Sequence, residues 1–304
     1  MKNDLPQTIS YTLPGRGELP RPAVPWTADP ARSALLVHDM QRHFLRPYGT
    51  GLEPARSVVA NTARLIGQAR QQGIPVFYTA QPAHQQPRDR ALLNDFWGAG
   101  IGANEEAAQI IDELSPEDGD TVLTKWRYSA FQRSNLTETL RELGRDQLVI
   151  TGVYAHIGCQ VSAADAFMND VQPFMVADAV ADFSAGHHRQ ALEWVAGRCG
   201  VVTDTDSLST AWATGQSIRR GIDEVVRGHV AELVYLEPAE IGDHDNLLEL
   251  GLDSIRLMDL VETLRGEGLQ AAFEVLAAAP TIHDWARALE PGAPQELSTA
   301  GAPA

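Results

Sequence analysis

Cysteine and positive charge are both scarce in this sequence, and each shortage excludes a class of protein. Only Cys159 and Cys199 occur among 304 residues, so we expect no disulfide framework and a reducing, cytoplasmic location. Lys and Arg number 24 against 40 Asp and Glu, which gives a formal net charge of −16 and no basic stripe for nucleic acid. No segment has the roughly 18 uninterrupted apolar residues of a membrane span, and the N-terminal MKNDLPQTIS lacks a signal peptide's apolar run.

Short apolar runs alternate with segments of helical spacing after a proline-rich arm over residues 1–30. The runs are typical of buried strands and lie at 33–39, 74–80, 121–125, 148–153 and 174–178. Helices are predicted at 53–73, 136–144, 159–170 and 188–198. This alternation predicts an α/β fold with a doubly wound, mostly parallel sheet, in which ligands bind beyond the carboxyl ends of the strands.

The pattern changes near residue 206, which predicts a first domain over 1–206. Residues 207–216 contain no strand pattern and are predicted to be a linker. Residues 217–290 are compatible with helix and hold 15 Asp or Glu against 6 Lys or Arg, so −9 of the −16 charge lies there. The remaining residues, 291–304, are small and polar and are predicted to be disordered. The chain is therefore expected to contain one large domain and one small, acidic, helical domain.

A serine in the small domain follows a loop and begins an amphipathic helix, in the string DNLLELGLDSIRLMDLVETL over 245–264. Taken alone, a serine at this position is as well explained by helix capping. Residues 217–290 resemble the four-helix carrier-protein (thiolation) family, however, and Gly251, Asp253 and Ser254 match its GxDS motif. The resemblance implies that Ser254 carries a 4′-phosphopantetheine arm. We expect a mainly core role for Leu257, Met258, Val261 and Leu264, with Ile255 and Met258 as candidate docking residues.

Six segments of the large domain carry a second resemblance: LLVHDMQRHF (35–44), YTAQP (78–82), DRALLNDFWG (89–98), VLTKWRYSAF (122–131), ITGVYAHIGC (150–159) and PFMVADAVADFS (173–184). They are similar to the isochorismatases of the isochorismatase-like (cysteine hydrolase) superfamily, which implies a three-layer α/β sandwich. Both domains together resemble the bifunctional isochorismatase/aryl carrier proteins of enterobactin-type siderophore synthesis. That resemblance implies hydrolysis of isochorismate to pyruvate and 2,3-dihydro-2,3-dihydroxybenzoate, and carriage of 2,3-dihydroxybenzoate on the arm.

Cysteine hydrolases of this superfamily use an Asp–Lys–Cys triad, and only two of its members have a counterpart here. Asp39 and Lys125 match the first two positions, whereas alignment places Gly158, not Cys159, at the nucleophile position. Successive helical residues point about 100° apart, so Cys159 is expected to face the core. The missing nucleophile favours a reaction without a covalent intermediate, and protonation of a vinyl ether is such a reaction.

The resemblance implies a role for each site residue. Asp39 is the expected acid, with a pKa raised by burial, and Lys125 is expected to pair with a substrate carboxylate. Gly158 is expected to leave space for the ring or the water. Gln81 and Arg90 are expected to bind the substrate, Arg90 through its fork of donors. Three aromatic residues are expected to form the walls of the pocket, although each fits a core position equally well: Phe44, Trp97 and Tyr154.

Six histidines raise the question of a metal: His38, His43, His84, His156, His187 and His188. Metal-binding relatives use an Asp/His cluster after the second strand, whereas this chain has QPAHQQ there, and His187 and His188 are adjacent and would point apart. We therefore expect no metal. The cofactor implied by the carrier-protein resemblance is phosphopantetheine. The implied partners are a phosphopantetheinyl transferase, an adenylation enzyme for 2,3-dihydroxybenzoate, a nonribosomal peptide synthetase condensation domain and further copies of the chain in a homo-oligomer.

Three other functions remain open at this point. A relative could cleave 2-amino-2-deoxyisochorismate in phenazine-type biosynthesis, although the carrier domain favours isochorismate. A cysteine hydrolase could act on amides through Cys159. An inactive scaffold could present the carrier domain, but the joint presence of Asp39, Lys125, Gln81 and Arg90 argues against it.

Overall fold

The structure is a computed structural model that describes residues 5–290, except for the side chains of residues 216–217. It divides the chain into two compact units, Met1–Ala213 and Thr214–Ala304. The tail predicted to be disordered, 291–304, lies outside the described residues. No helix in the described part of the chain is long and apolar enough to cross a membrane.

The first unit is built on a six-stranded sheet in the order β3-β2-β1-β4-β5-β6, and every neighbouring pair is parallel. The strands are β1 (Ser33–His38), β2 (Val76–Ala80), β3 (Thr121–Thr124), β4 (Gln147–Val153), β5 (Gln172–Ala181) and β6 (Val201–Thr203). The first five confirm the sequence prediction, whereas the three-residue β6 was too short to be identified. The strand order reverses between β1 and β4, and this switch point is where open α/β sheets bind ligands.

Helices cover both faces of the sheet because successive residues of a strand point to opposite sides. On β1, Leu35 and Val37 belong to one buried cluster and Ala34 and Leu36 to the other. The helices of the first unit are α1 (Arg42–Leu45), α2 (Ala55–Gln71), α3 (Pro87–Arg90), α4 (Leu93–Trp97), α5 (Glu105–Ala108), α6 (Leu136–Glu142), α7 (Gln160–Met168) and α8 (Ala185–Arg198). The α/β sandwich is confirmed.

The segment 207–216, predicted from sequence to be a linker, is helical. It belongs to α9 (Thr205–Val234). Leu208 and Trp212 are buried in the first unit, and Trp212 Nε1 donates a hydrogen bond to Ser33 Oγ at 3.2 Å. These two residues are four positions apart and lie on one helical face, a signal that the surrounding Ser, Thr and Gly obscured.

The second unit is helical, as predicted for a carrier domain. Besides the remainder of α9, it contains α10 (Ser254–Gly266), α11 (Phe273–Ala278) and α12 (Ile282–Ala288). Its core includes Leu257, Val261 and Leu264, which confirms three of the four expected core residues. Met258 is 52% exposed and Ile255 is 69% exposed, so the core expectation for Met258 is wrong. Both side chains point away from the apolar face of α10.

Candidate active site

The ends of four neighbouring strands bring the predicted polar residues together. Asp39 follows β1, Gln81 follows β2, Lys125 follows β3 and Tyr154 follows β4. All eight site residues predicted for the first domain line one cavity of about 440 Å³: Asp39, Phe44, Gln81, Arg90, Trp97, Lys125, Tyr154 and Gly158. The cavity lies at the carboxyl edge of the sheet, where the strand order predicts a ligand site.

Asp39 and Lys125 form an ion pair on the cavity wall, with 2.9 Å between Asp39 Oδ2 and Lys125 Nζ. Thr79 Oγ1 donates to Asp39 Oδ1 at 2.5 Å and accepts from the Asp39 backbone N–H at 3.0 Å. Asp39 also has a φ of 50°, a left-handed conformation that is uncommon outside glycine and that turns the chain sharply at the end of β1. Asp39 is 6% exposed and Lys125 is 3% exposed, so the pair is held in a fixed, nearly dry position.

The protonation state of Asp39 differs from the expectation. Burial raises the pKa of Asp39. His38, the Lys125 ammonium and the hydrogen bonds from Lys125 and Thr79 together lower it by more than burial raises it, so the net pKa lies below its ordinary value. The sequence-based expectation of a raised pKa is therefore wrong for the free protein. Asp39 is ionised at neutral pH until something weakens its pairing with Lys125.

Arg90 is the second fixed cation of the cavity. It is buried, and its Nε donates to the carbonyl oxygen of Gly98 at 2.6 Å. Its Nη1 donates to the amide oxygens of Gln85 at 2.9 Å and Gln81 at 3.2 Å. None of these partners is charged, so the guanidinium keeps its full positive charge available to an anionic ligand.

Aromatic side chains line the cavity, among them Phe44, Trp97 and Tyr154. The Tyr154 hydroxyl donates to the Phe44 carbonyl oxygen at 2.6 Å, and the two rings meet edge to face with centroids 6.1 Å apart. Trp97 Nε1 donates to the Tyr128 hydroxyl at 2.7 Å, and Phe183 packs on Tyr154 with centroids 4.4 Å apart. These walls reduce contact with bulk water, which strengthens every charge interaction inside.

Sequence reasoning missed further residues of the cavity: His43, Arg46, Arg127, Tyr128 and Phe183. Four of the five fall inside the family-like segments, but they follow no strand end directly and so carry no positional signal. Arg46 and Arg127 raise the number of lining cations to four, with Arg90 and Lys125, whereas Asp39 is the single acidic residue among the described lining residues. The cavity is therefore suited to a ligand with more than one negative charge.

The structure separates the two candidate nucleophile positions. Cys159 is fully buried in the same apolar cluster as Ala34 and Leu36, and burial raises the pKa of its thiol well above the ordinary value. This confirms the prediction that Cys159 faces the core. Gly158 lines the cavity, but a Cβ on it would lie 2.1 Å from Cε1 of His38. The side-chain direction of Gly158 is thus filled by an imidazole, so the missing side chain does not open additional space for the substrate or the water, contrary to the expectation.

One group of side chains in the described residues has the spacing of a metal site: His156, Asp182 and His187. The Asp182 carboxylate already accepts hydrogen bonds from the backbone N–H groups of His156 and Phe183 and lies 2.5 Å from His156 Nδ1. His187 stacks on His156, whereas His188 is buried and contacts Tyr11. These bonds hold the π-helical turn Ala155–Cys159, which carries Gly158.

Ser254 in the second unit is exposed and is not the cap of its helix. The N-cap is Asp253, whose side chain accepts from the backbone N–H groups of Ile255 and Arg256. Within residues 5–290 the Ser254 hydroxyl has no hydrogen-bond partner. The capping explanation for this serine is therefore removed.

Comparison with known proteins identifies both units. The Isochorismatase domain family matches residues 33–207, and the Phosphopantetheine attachment site family matches residues 224–289. The chain is 47% identical to "Isochorismatase" of Bacillus subtilis, covering 97% of this chain and 98% of that protein. It is 46% identical to "Enterobactin synthase component B" of Escherichia coli, covering 92% and 96%.

Two further comparisons concern the first unit alone. "Phenazine biosynthesis protein PhzD" of Pseudomonas fluorescens is 49% identical over 67% of this chain and 98% of its own length. Among solved structures, a cysteine hydrolase from Pseudomonas syringae matches with a TM-score of 0.59 and 23% identity, covering 64% of this chain and 99% of that one. The structural match shows a shared fold.

Proposed function

Because the chain belongs to the isochorismatase family and also carries a phosphopantetheine-attachment domain, we propose that it cleaves isochorismate and carries an activated aryl acid. The observation that carries the first part is the Asp39–Lys125 pair at a cavity with four cations and a glycine at the nucleophile position. Isochorismate has two carboxylates, which match the excess of positive charge. Its vinyl ether can be hydrolysed by protonation and water attack, without a covalent intermediate.

The proposed reaction uses Asp39 as acid and then as base. Substrate carboxylates bind Lys125 and Arg90, and the added negative charge raises the pKa of Asp39 so that it takes up a proton. Asp39 protonates the methylene carbon of the enolpyruvyl group, and water attacks the resulting oxocarbenium ion and returns a proton to Asp39. The hemiketal then collapses, its hydroxyl proton passes to the ring oxygen, and pyruvate and the dihydrodiol leave.

The dependence of turnover on pH should differ between the free protein and its substrate complex. A general acid works below its pKa, and activity is lost as pH rises through that value. The pKa of Asp39 is lowered in the free protein and, in this proposal, raised by bound substrate. We expect kcat/KM to fall with rising pH from a lower pH than kcat. Coincident profiles for the two parameters would contradict the proposed role of substrate charge.

The second unit is proposed to carry 2,3-dihydroxybenzoate as a thioester on a phosphopantetheine arm at Ser254. Support comes from the exposed, unbonded hydroxyl and from the exposed apolar side chains of Ile255 and Met258 beside it. The proposed partners are a phosphopantetheinyl transferase, an adenylation enzyme that loads the arm, and a condensation domain that unloads it. The acidic surface of this unit suits transient docking of basic partners.

Cleavage of the 2-amino analogue is the second candidate, favoured by the similarity of the first unit to a phenazine biosynthesis protein. That protein matches only this part of the chain, whereas the relatives that match both units are named for isochorismate cleavage and enterobactin synthesis. The cationic cavity also disfavours an ammonium group beside the ring carboxylate. Initial rates of pyruvate release from the two substrates, measured with a lactate dehydrogenase assay, decide between them: isochorismate should have the higher kcat/KM.

The boundary between the units predicts where the chain can be shortened. A chain of residues 1–213 should release pyruvate at the wild-type rate, because every proposed catalytic residue precedes Ala213. A chain ending at Ser207 loses the buried Leu208 and Trp212, and removal of a core tryptophan costs about 3–5 kcal/mol. It should therefore melt at a clearly lower temperature. A folded but inactive 1–213 chain would show that the site assignment is wrong.

A further inference from the structure

The proposed reaction leaves His38 without a role, although its side chain is fully buried on the cavity wall beside Asp39. Its Nδ1 lies 2.8 Å from the carbonyl oxygen of Val153, and its Nε2 lies 3.3 Å from the carbonyl oxygen of Tyr128. Val153 ends β4, the strand that pairs with β1. The ring is therefore held between two backbone segments, with the cavity on its remaining side.

Two glycines in neighbouring segments of the chain leave room for His38. A Cβ on Gly152, which pairs with His38 in the sheet, would lie 2.1 Å from the His38 carbonyl oxygen. A Cβ on Gly158 would lie 2.1 Å from Cε1, 2.6 Å from Nε2 and 3.0 Å from Nδ1 of the imidazole. Carbon atoms pack at about 3.5–4.0 Å, so any side chain at residue 158 would displace the ring by more than about 1 Å.

We propose that His38 is a positioning residue whose imidazole occupies the volume that a side chain at residue 158 would enter. The ring forms the part of the cavity wall next to Asp39 and keeps the Asp39 carboxyl, the reacting group of the site, in position. Since His38 immediately precedes Asp39, displacement of the ring also moves the acid. The catalytic part of this role rests on the proposed function, whereas the packing of His38 against Gly158 does not.

The test is a double-mutant cycle of Gly158→Ala and His38→Asn, measured by kcat, KM and melting temperature. The amide nitrogen of asparagine can take the place of Nδ1 and donate to the Val153 carbonyl, but asparagine has no atoms in place of Cε1 and Nε2. Gly158→Ala alone should lower kcat by about 10²-fold, the effect of a roughly 1 Å misplacement, with KM changed by less than about threefold. The double variant should turn over at least about tenfold faster than Gly158→Ala alone and melt at a higher temperature.

Gly67→Ala is the matched control, because a Cβ on this glycine of α2 meets nothing within 4 Å. It should leave kcat unchanged. An equal loss from Gly158→Ala with and without the imidazole, or no loss at all, would overturn the role of His38. If Gly158→Ala does not fold, recovery of a cooperative melt by His38→Asn supports the proposal and continued misfolding overturns it. A wild-type chain that releases no pyruvate would refute the proposed function, and the melting-temperature cycle would still decide the packing claim.

Discussion

Replacing Asp39 with asparagine is expected to lower kcat for isochorismate cleavage by about 10²–10⁴-fold, the usual contribution of a general acid. Asparagine keeps the size of the side chain and an oxygen that can accept from Thr79, but its amide protons are far too weakly acidic to be transferred to carbon. Lys125 and Arg90 stay in place, so KM should change by much less than kcat. Steady-state pyruvate release over a range of isochorismate concentrations separates the two parameters.

Two control variants make the Asp39 result specific. Asp95→Asn removes an exposed carboxylate outside the cavity and should leave turnover unchanged. Cys159→Ala removes a buried thiol with a strongly raised pKa and should also retain activity. An essential cysteine together with a dispensable Asp39 would contradict the vinyl ether mechanism and favour covalent catalysis. Circular dichroism melts of each variant separate a loss of chemistry from a loss of folding.

Ser254→Ala is expected to abolish attachment of phosphopantetheine completely. Ser254 is exposed, and within the described residues its hydroxyl bonds to nothing. The substitution should therefore change the free energy of unfolding by less than about 0.5 kcal/mol, as exposed substitutions usually do. Intact-protein mass spectrometry after incubation with coenzyme A and a broad-specificity phosphopantetheinyl transferase gives the number of arms. Wild type should gain one and Ser254→Ala none, with equal rates of isochorismate cleavage.

Neighbouring variants distinguish the reactive serine from the helix cap. Thr263→Ala removes another exposed hydroxyl of α10 and should still gain one arm. Asp253→Ala removes the side chain that caps α10, which costs about 0.5–2 kcal/mol of stability. An arm on Ser254→Ala, or none on wild type, would remove the carrier assignment.

Much of the site could be predicted because its polar residues directly follow buried strands. Asp39, Gln81 and Lys125 come after β1, β2 and β3, and parallel strands end at the same edge of a sheet. Arg90 and Trp97 had no such signal, since α3 and α4 lie in a segment without clear periodicity, and only the family resemblance indicated them. Position along a strand is thus informative, whereas position in an irregular segment is not.

The remaining features depend on contacts between distant parts of the chain. The lowered pKa of Asp39 results from a competition between burial and the charges around it, and sequence does not give their relative size. The role of His38 depends on a contact with Gly158, which lies 120 residues further along the chain. In sequence, that glycine indicates only a missing nucleophile.

Turnover of isochorismate in water enriched in ¹⁸O tests the central claim most directly. In the proposed reaction water attacks the enolpyruvyl carbon, so the bond that breaks joins that carbon to the ether oxygen, and the ring keeps its own oxygen. Mass spectrometry should therefore find the dihydrodiol without label and an equal amount of pyruvate, released by wild type and by Cys159→Ala alike. Label in the dihydrodiol, or pyruvate release that requires Cys159, would contradict hydrolysis through protonation by Asp39.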